Sequence, residues 1–127
     1  MKVLKKAEYG LRAMIHLAKN HNKKIISIRE ISNGEGIPFE FLGKIFLDLE
    51  KAKLVKARHG VNGGYSLARR PEKITVIDIV SLLENINAVN CAFCPKEKKC
   101  LTKNVWAKVD KAVNKALGSI TLKDLIK

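Results

Sequence analysis

The sequence predicts a mainly α-helical chain with one small β-hairpin and a long amphipathic helix near its C-terminal end. Three observations carry that expectation. Apolar residues recur every three or four positions in several separate stretches, which is the helical period. Two short strand-like runs, Leu-Val-Lys-Ala-Arg and Tyr-Ser-Leu-Ala-Arg, flank a Gly- and Asn-rich tip, His-Gly-Val-Asn-Gly-Gly. From Leu101 to Ala116 the apolar period then holds without a break.

Taken in order, Leu4, Ala7, Leu11, Met14 or Ile15, and Ala18 form the inner stripe of a first helix, and Asn20 to Lys24 break it. Ser27 is a good N-cap with Glu30 three residues on, so a capping box is expected to open a short second helix, Ile28 to about Asn33. Asn-Gly-Glu-Gly-Ile-Pro follows as a tight turn in which Gly34 and Gly36 are free to take positive φ. Pro38 suits the first turn of a third helix. Leu42, Ile45, Phe46 and Leu49 form its buried stripe; Glu40, Lys44, Leu47 and Lys51 lie opposite. Two helices joined by a short turn, the second with a polar outer face, make a helix-turn-helix. The hairpin that follows at once makes it a winged helix. The hairpin is either a solvated cap on the core or, given Gly60, Gly63 and Gly64, a place of close approach.

Pro71 ends this module. Thr75 caps a fourth helix with Asp78 as its partner, and Val76, Ile79, Val80 and Leu83 line one face. The long helix carries Leu101, Val105, Val109, Ala112 or Val113, and Ala116 on one side and stops at Gly118. Ser119 and Thr121 start a last short turn. A long helix beyond a compact module is most easily buried against a second copy, so a symmetric homodimer is expected. The expected division is residues 1–73 as the winged helix-turn-helix domain and 74–127 as helix, cysteine loop and dimerisation helix.

The chain has 127 residues, enough to bury a core without disulfides. It has no apolar run long enough for a membrane span, and its first residues do not read as a signal peptide. A cytoplasmic location, where thiols stay reduced, is the expectation. Lys and Arg number 25 against 12 Asp and Glu, a formal charge of +13. That favours a polyanion, with nucleic acid first and an acidic membrane surface second; a merely Lys-rich surface is the alternative. Residues 1–66 carry 13 basic and 6 acidic residues and residues 67–127 carry 12 and 6, so the charge is not in an appended tail. No Ser/His/Asp order, phosphate loop or paired carboxylates on a predicted cleft points to an enzyme.

All three cysteines, Cys91, Cys94 and Cys100, fall within ten residues among Lys96, Lys98, Lys99 and Lys103. Nearby positive charge lowers thiol pKa, and soft thiolates suit an iron–sulfur cluster or zinc. A redox disulfide across the C-x2-C pair and simple packing as small hydrophobes are the other readings.

The stretches quoted so far resemble, in order, the parts of the IscR/NsrR family of winged-helix transcription regulators. A-E-Y-G-L-R-A-M-I-H-L-A resembles its first helix and I-S-I-R-E-I-S its second. I-P-F-E-F-L-G-K-I-F-L-D-L-E-K-A-K-L-V is similar to its recognition helix and the strand beyond, and R-H-G-V-N-G-G-Y-S-L-A-R to its wing. C-P-K-E-K-K-C-L-T-K-N-V-W resembles the cysteine run that opens the family's dimer helix, and G-S-I-T-L-K-D-L-I matches the tail. Three departures stand out: Cys91 and Cys94 are only three apart, Lys103 stands where some members have His, and the recognition helix has Gly43 where a side chain could reach a base while the wing has His59 where Arg is common.

The resemblance implies a dimeric DNA-binding regulator, of repressor type, whose operator affinity is switched by an iron–sulfur cluster, 2Fe-2S or 4Fe-4S. Cys91, Cys94 and Cys100 would hold it, with Glu8 on the first helix as the implied fourth ligand. A thiol-disulfide or zinc-dependent regulator of the same fold is one alternative, and a cluster carrier that binds no DNA is another. On double-stranded DNA, the helix from Pro38 would enter the major groove, with Phe39, Glu40 and Lys44 near its start. Ser27 and Arg29 would meet phosphates. Arg58, His59, Asn62 and Gly63 of the wing would lie near the minor groove.

Overall fold

A computed structural model describes residues 5–21, 25–84 and 101–126. Six helices and one hairpin follow in the order α1 (Lys5–Lys19), α2 (Ile28–Glu35), α3 (Phe39–Lys51), β1 (Val55–Arg58), β2 (Gly64–Leu67), α4 (Val76–Leu83), α5 (Lys103–Gly118) and α6 (Leu122–Ile126), with a 3-10 turn at Pro71–Lys73. The expected mainly α winged helix-turn-helix is what the chain forms. Cys91, Cys94 and Cys100 lie outside the described residues.

Most of the inner stripes read from the sequence are buried, although in α1 Leu11 is only partly so, Leu4 lies outside the described residues, and Ala13 and Leu17 are buried without having been foreseen. Ala7, Met14 and Ala18 of α1, all of Leu42, Ile45, Phe46 and Leu49 of α3, and Val76, Ile79, Val80 and Leu83 of α4 enter one core, joined by Ile31 of α2 and Leu122 of α6. No polar or charged residue is buried among the described residues. Each large side chain withdrawn from water contributes roughly 1.5–3 kcal/mol before chain entropy is counted. This core takes residues from both sides of the boundary expected at 73/74.

Three local expectations are corrected. The second helix runs two residues further, to Glu35, so Gly34 is helical and only Gly36 of the pair takes a positive φ, +68°. Gly34 is instead a place of close packing: a Cβ there would stand 2.9 Å from Cε1 of His16. The Gly36 turn closes α2 with the Gly36 N–H donating to the Ser32 carbonyl at 2.9 Å. Pro38 sits one residue before the helix rather than in it, with φ −56° and ψ 131°, and α3 starts at Phe39. At Ser27 one half of the expected box forms, the Glu30 N–H donating to Oγ at 3.1 Å. The reciprocal pair is complete at Thr75 and Asp78, with bonds of 3.0 and 3.2 Å.

The hairpin is antiparallel, Val55 facing Leu67 and Arg58 facing Gly64. It is bound to the helical body through Ile26, which exchanges two backbone hydrogen bonds with Tyr65, at 2.9 and 2.8 Å. The Tyr65 ring packs on Phe46, centroids 4.6 Å apart. Burial, with the charge of Glu50 second, holds the Tyr65 phenol above its usual 10.0. The folded chain therefore keeps this proton where the unfolded chain loses it. The associated stability is whole below pH 10 and falls away as pH rises through the folded value. Urea midpoints measured from pH 8 to pH 11 should fall more steeply for the native chain than for Tyr65→Phe; parallel curves would disprove the coupling.

The C-terminal segment returns to the body. The Val76 N–H donates to the Ile120 carbonyl and the Leu122 N–H to the Ile74 carbonyl, both at 2.9 Å. A second capping pair, Thr121 with Asp124, starts α6. In α5, Val113 and Leu117 pack against the core, whereas Val105 and Trp106 are exposed and Leu101, just before the helix, is 98% exposed. No residue of α5 is fully buried.

Candidate nucleic-acid interface

The start of α2, the start of α3 and the wing meet around a groove of about 370 Å³. Its walls are Ser27, Ile28, Arg29 and Phe39 on the helical side and Ala57, Arg58, His59, Gly60, Gly63, Gly64 and Tyr65 on the wing side. Six of the ten residues expected to meet DNA therefore share one groove: Ser27, Arg29, Phe39, Arg58, His59 and Gly63. Two guanidinium groups line it and no carboxylate does. A guanidinium offers a planar fork of donors that fits phosphate oxygens.

The local structure sets each group. Ser27 ends its extended backbone at the α2 N-terminus, φ −75° and ψ 154°, with its hydroxyl engaged by Glu30 N–H. Arg29 lies over the Phe39 ring, 4.6 Å from the centroid. That stacking ties α2 to α3 and limits where the guanidinium can swing. Phe39 remains 44% exposed. At the wing tip Gly60 has φ +114°, a conformation that a side chain strains, and it accepts a hydrogen bond from Gly63 N–H at 3.0 Å. A Cβ on Gly63 would overlap the Arg58 carbonyl oxygen. At Gly63 and Gly64 the close approach is thus made by the chain's own backbone, whereas a Cβ on Gly60 would meet nothing within 4 Å.

The other four expected residues stand outside the groove. Pro38 and Glu40 are exposed at the start of α3, Lys44 is exposed one turn on, and Asn62 is exposed at the wing tip. Glu40, Lys44, Leu47 and Lys51 make one outward stripe on α3, opposite the buried face. Lys6, a further cation of α1, is paired with Asp48 at 3.1 Å. Glu8 is exposed in the first turn of α1. Among the described residues no three His, Cys, Asp or Glu side chains cluster as metal ligands, and no helix is long and apolar enough to cross a membrane.

Sequence reasoning missed Ile28, Ala57, Gly60, Gly64 and Tyr65 as groove walls. It also missed the cluster that fixes α2 on α1, in which His16 Nδ1 lies 2.8 Å from Glu35 Oε2 and Arg12 holds both the Glu35 carboxylate and its backbone carbonyl. A helical period signals only which face is apolar, not which polar group crosses to the next helix.

A family model described as "Rrf2: Iron-dependent Transcriptional regulator" matches residues 3–127. Protein rrf2 of Nitratidesulfovibrio vulgaris is 34% identical over 132 residues, spanning 100% of this chain and 88% of that protein. The solved structure of T. potens IscR superposes with a TM-score of 0.83 at 36% identity, covering 99% of this chain and 86% of that one. CymR, described as the global cysteine regulator of B. subtilis, superposes with a TM-score of 0.83 at 34% identity over 99% and 96% of the two chains. These relatives are transcription regulators, not enzymes. With a family match along nearly its whole length and the helix-turn-helix and wing in place, the chain belongs to the Rrf2 family of DNA-binding transcription regulators of winged-helix fold.

Proposed function

We propose that the chain is a dimeric transcription repressor whose affinity for its operator is set by an iron–sulfur cluster bound at its three-cysteine segment. The observation that carries the DNA half is the groove in which Arg29, Arg58 and His59 converge beside the outward face of α3. In this reading the stripe of Glu40 and Lys44 enters the major groove after Pro38 and Phe39. Ser27 and Arg29 meet phosphates, and Arg58, His59, Asn62 and Gly63 follow the minor groove. The exposed run of Leu101, Val105 and Trp106 supports a second copy as partner, because a helix with no fully buried residue leaves its apolar side to be covered. The protein acts in the cytoplasm, where thiols remain reduced.

The cluster half rests on donor chemistry. Three thiolates among four lysines fit iron and sulfide better than the four-ligand Cys/His sets usual for structural zinc. Cys91, Cys94 and Cys100 would hold the cluster, and Glu8, exposed in the first turn of α1, is the proposed fourth ligand. When bound, such a group supplies a centre sensitive to oxygen, nitric oxide and iron supply. The chain's own contribution is mechanical: the cysteines tie down the segment leading into α5, and α5, packed on α4, sets where the two reading heads stand. The equal superposition with the cysteine regulator CymR favours a second reading, a thiol switch on the same scaffold.

The test is the visible spectrum of protein purified without oxygen, with iron, sulfide and zinc assayed together. Coloured protein with matched iron and sulfide supports the cluster. Colourless protein without zinc, even after anaerobic reconstitution, supports the thiol switch. For the DNA face, Lys44→Ala should lose preference for operator over random sequence, while Arg58→Ala should weaken both. Arg58→Ala should also flatten the log–log salt dependence by roughly one phosphate's worth, about 0.9. Native behaviour in both variants would refute this docking.

A further inference from the structure

We infer that α3 reads a thymine through an apolar notch formed by Leu47 and Gly43, so that part of its sequence preference is for a methyl group rather than a hydrogen-bonding edge. The inference rests on the proposed docking of α3 in the major groove. It starts from two departures from what a polar, DNA-facing helix surface needs. Leu47 sits in the middle of the outward stripe, between Lys44 and Lys51, and is 53% exposed although the opposite face of the same helix buries four large apolar residues. A lone exposed leucine is ordinary. Gly43, one turn earlier on the same face, is not: glycine inside a helix is unfavourable relative to alanine.

Nothing in the fold requires that glycine. Its φ is not positive, and a Cβ built on it would meet no atom within 4 Å beyond the backbone of its own helix turn and its chain neighbours. This contrasts with Gly10, Gly34, Gly63 and Gly64, whose added Cβ would run into neighbouring atoms of the chain. The space over Gly43 is therefore left open toward the outside. Helical side chains lean toward the N-terminal turn, so Leu47 borders that space, four residues on. The result is a shallow recess with a backbone floor and an aliphatic wall, on the outward stripe that also carries the exposed Lys44 and Lys51.

Duplex DNA is the occupant that fits. The lysines of the stripe suit phosphates, and Phe39, at the start of the same helix, lines the groove of Arg29 and Arg58. In the major groove the thymine C5-methyl is the apolar feature that proteins read by contact. Leu47 would pack on that methyl, and the missing side chain at Gly43 would let it approach.

The experiment selects the preferred duplex from a random library with the full-length protein, then replaces each thymine of one half-site by deoxyuridine, which removes only the methyl. Fluorescence anisotropy gives the affinities. One thymine is expected at which uracil weakens native binding roughly fourfold, the worth of one buried methyl. Leu47→Ala should bind the thymine and uracil duplexes equally, and Gly43→Ala should lose the same discrimination while unfolding at a higher temperature. If the native protein is indifferent to every thymine-to-uracil change, or if Leu47→Ala still discriminates, the notch is refuted while DNA binding stands. If Lys44→Ala and Leu47→Ala both bind the selected duplex as the native chain does, α3 is not the reading helix and the underlying docking fails as well.

Discussion

Gly64→Ala is expected to pull the wing off the helical body. Gly64 is the first residue of β2, opposite Arg58, and next to it Tyr65 exchanges its two backbone bonds with Ile26. A Cβ on Gly64 would overlap the Ile26 carbonyl oxygen, lie 2.6 Å from its carbon and 2.9 Å from the Ser27 Cα. All three are backbone atoms, so no side chain can turn away to make room. Either the wing shifts and loses the Ile26 bonds, or the Ile26–Ser27 segment shifts and disturbs the α2 cap. Forcing an extra methyl into packed surroundings costs typically 1–3 kcal/mol, and the loss of one or both backbone bonds adds to it. Because the displaced strand carries one wall of the groove of Arg29 and Arg58, DNA affinity should fall together with stability. Amide hydrogen exchange at Tyr65 and Ile26 should accelerate more than in α4. An unchanged urea midpoint with native exchange at those amides would contradict the packing described for the wing.

Phe46→Ala should cost more, about 3–5 kcal/mol. Phe46 is the largest of the fully buried side chains, stands between Ile45 and Leu49 on the inner face of α3, and carries the Tyr65 ring. Removing it leaves a cavity where α3, the wing and the core meet. Domains of this kind hold about 5–15 kcal/mol in total, so the variant should be partly unfolded near body temperature. Phe39→Ala is the informative contrast. That ring is on the surface, where its removal should change the melting midpoint little, yet it strips the platform on which Arg29 rests. Equal destabilisation by the two substitutions would show that the core is not centred on α3.

These cases mark what the sequence reveals and what it hides. The inner stripe of α3, Leu42, Ile45, Phe46 and Leu49, was legible because burial repeats with the helix. The Thr75–Asp78 cap was legible because both partners lie within one turn. The end of α2 was not, because Gly34 and Gly36 look alike along the chain. Only the His16 ring packed on one and the Ser32 bond closing at the other separate a helical glycine from a left-handed one. Likewise Gly60, Gly63 and Gly64 announced close approach, but the sequence does not say to what. Two of the three are pressed against the chain's own backbone. Of the candidate interface, the charged members were foreseen from their places on α2, α3 and the wing. The apolar members, Tyr65 above all, needed the long-range bridge to Ile26 that joins wing and body. Leu47 was read as one more member of the outer face, and its pairing with the open space at Gly43 emerges only from the packing.

The measurement that bears most directly on the central claim is operator affinity in a single anaerobic preparation, titrated before and after iron is removed by a chelator, with iron and sulfide assayed at each stage. If the cysteine segment governs the spacing of the reading heads, loss of iron should change Kd at least tenfold. That corresponds to about 1.4 kcal/mol of coupling between the two sites. Cys94→Ser and Cys100→Ser should sit at the iron-free value from the start. Equal Kd with and without iron, in a preparation that has demonstrably lost it, would contradict the account and leave the three cysteines no part in the control of DNA binding through a cluster.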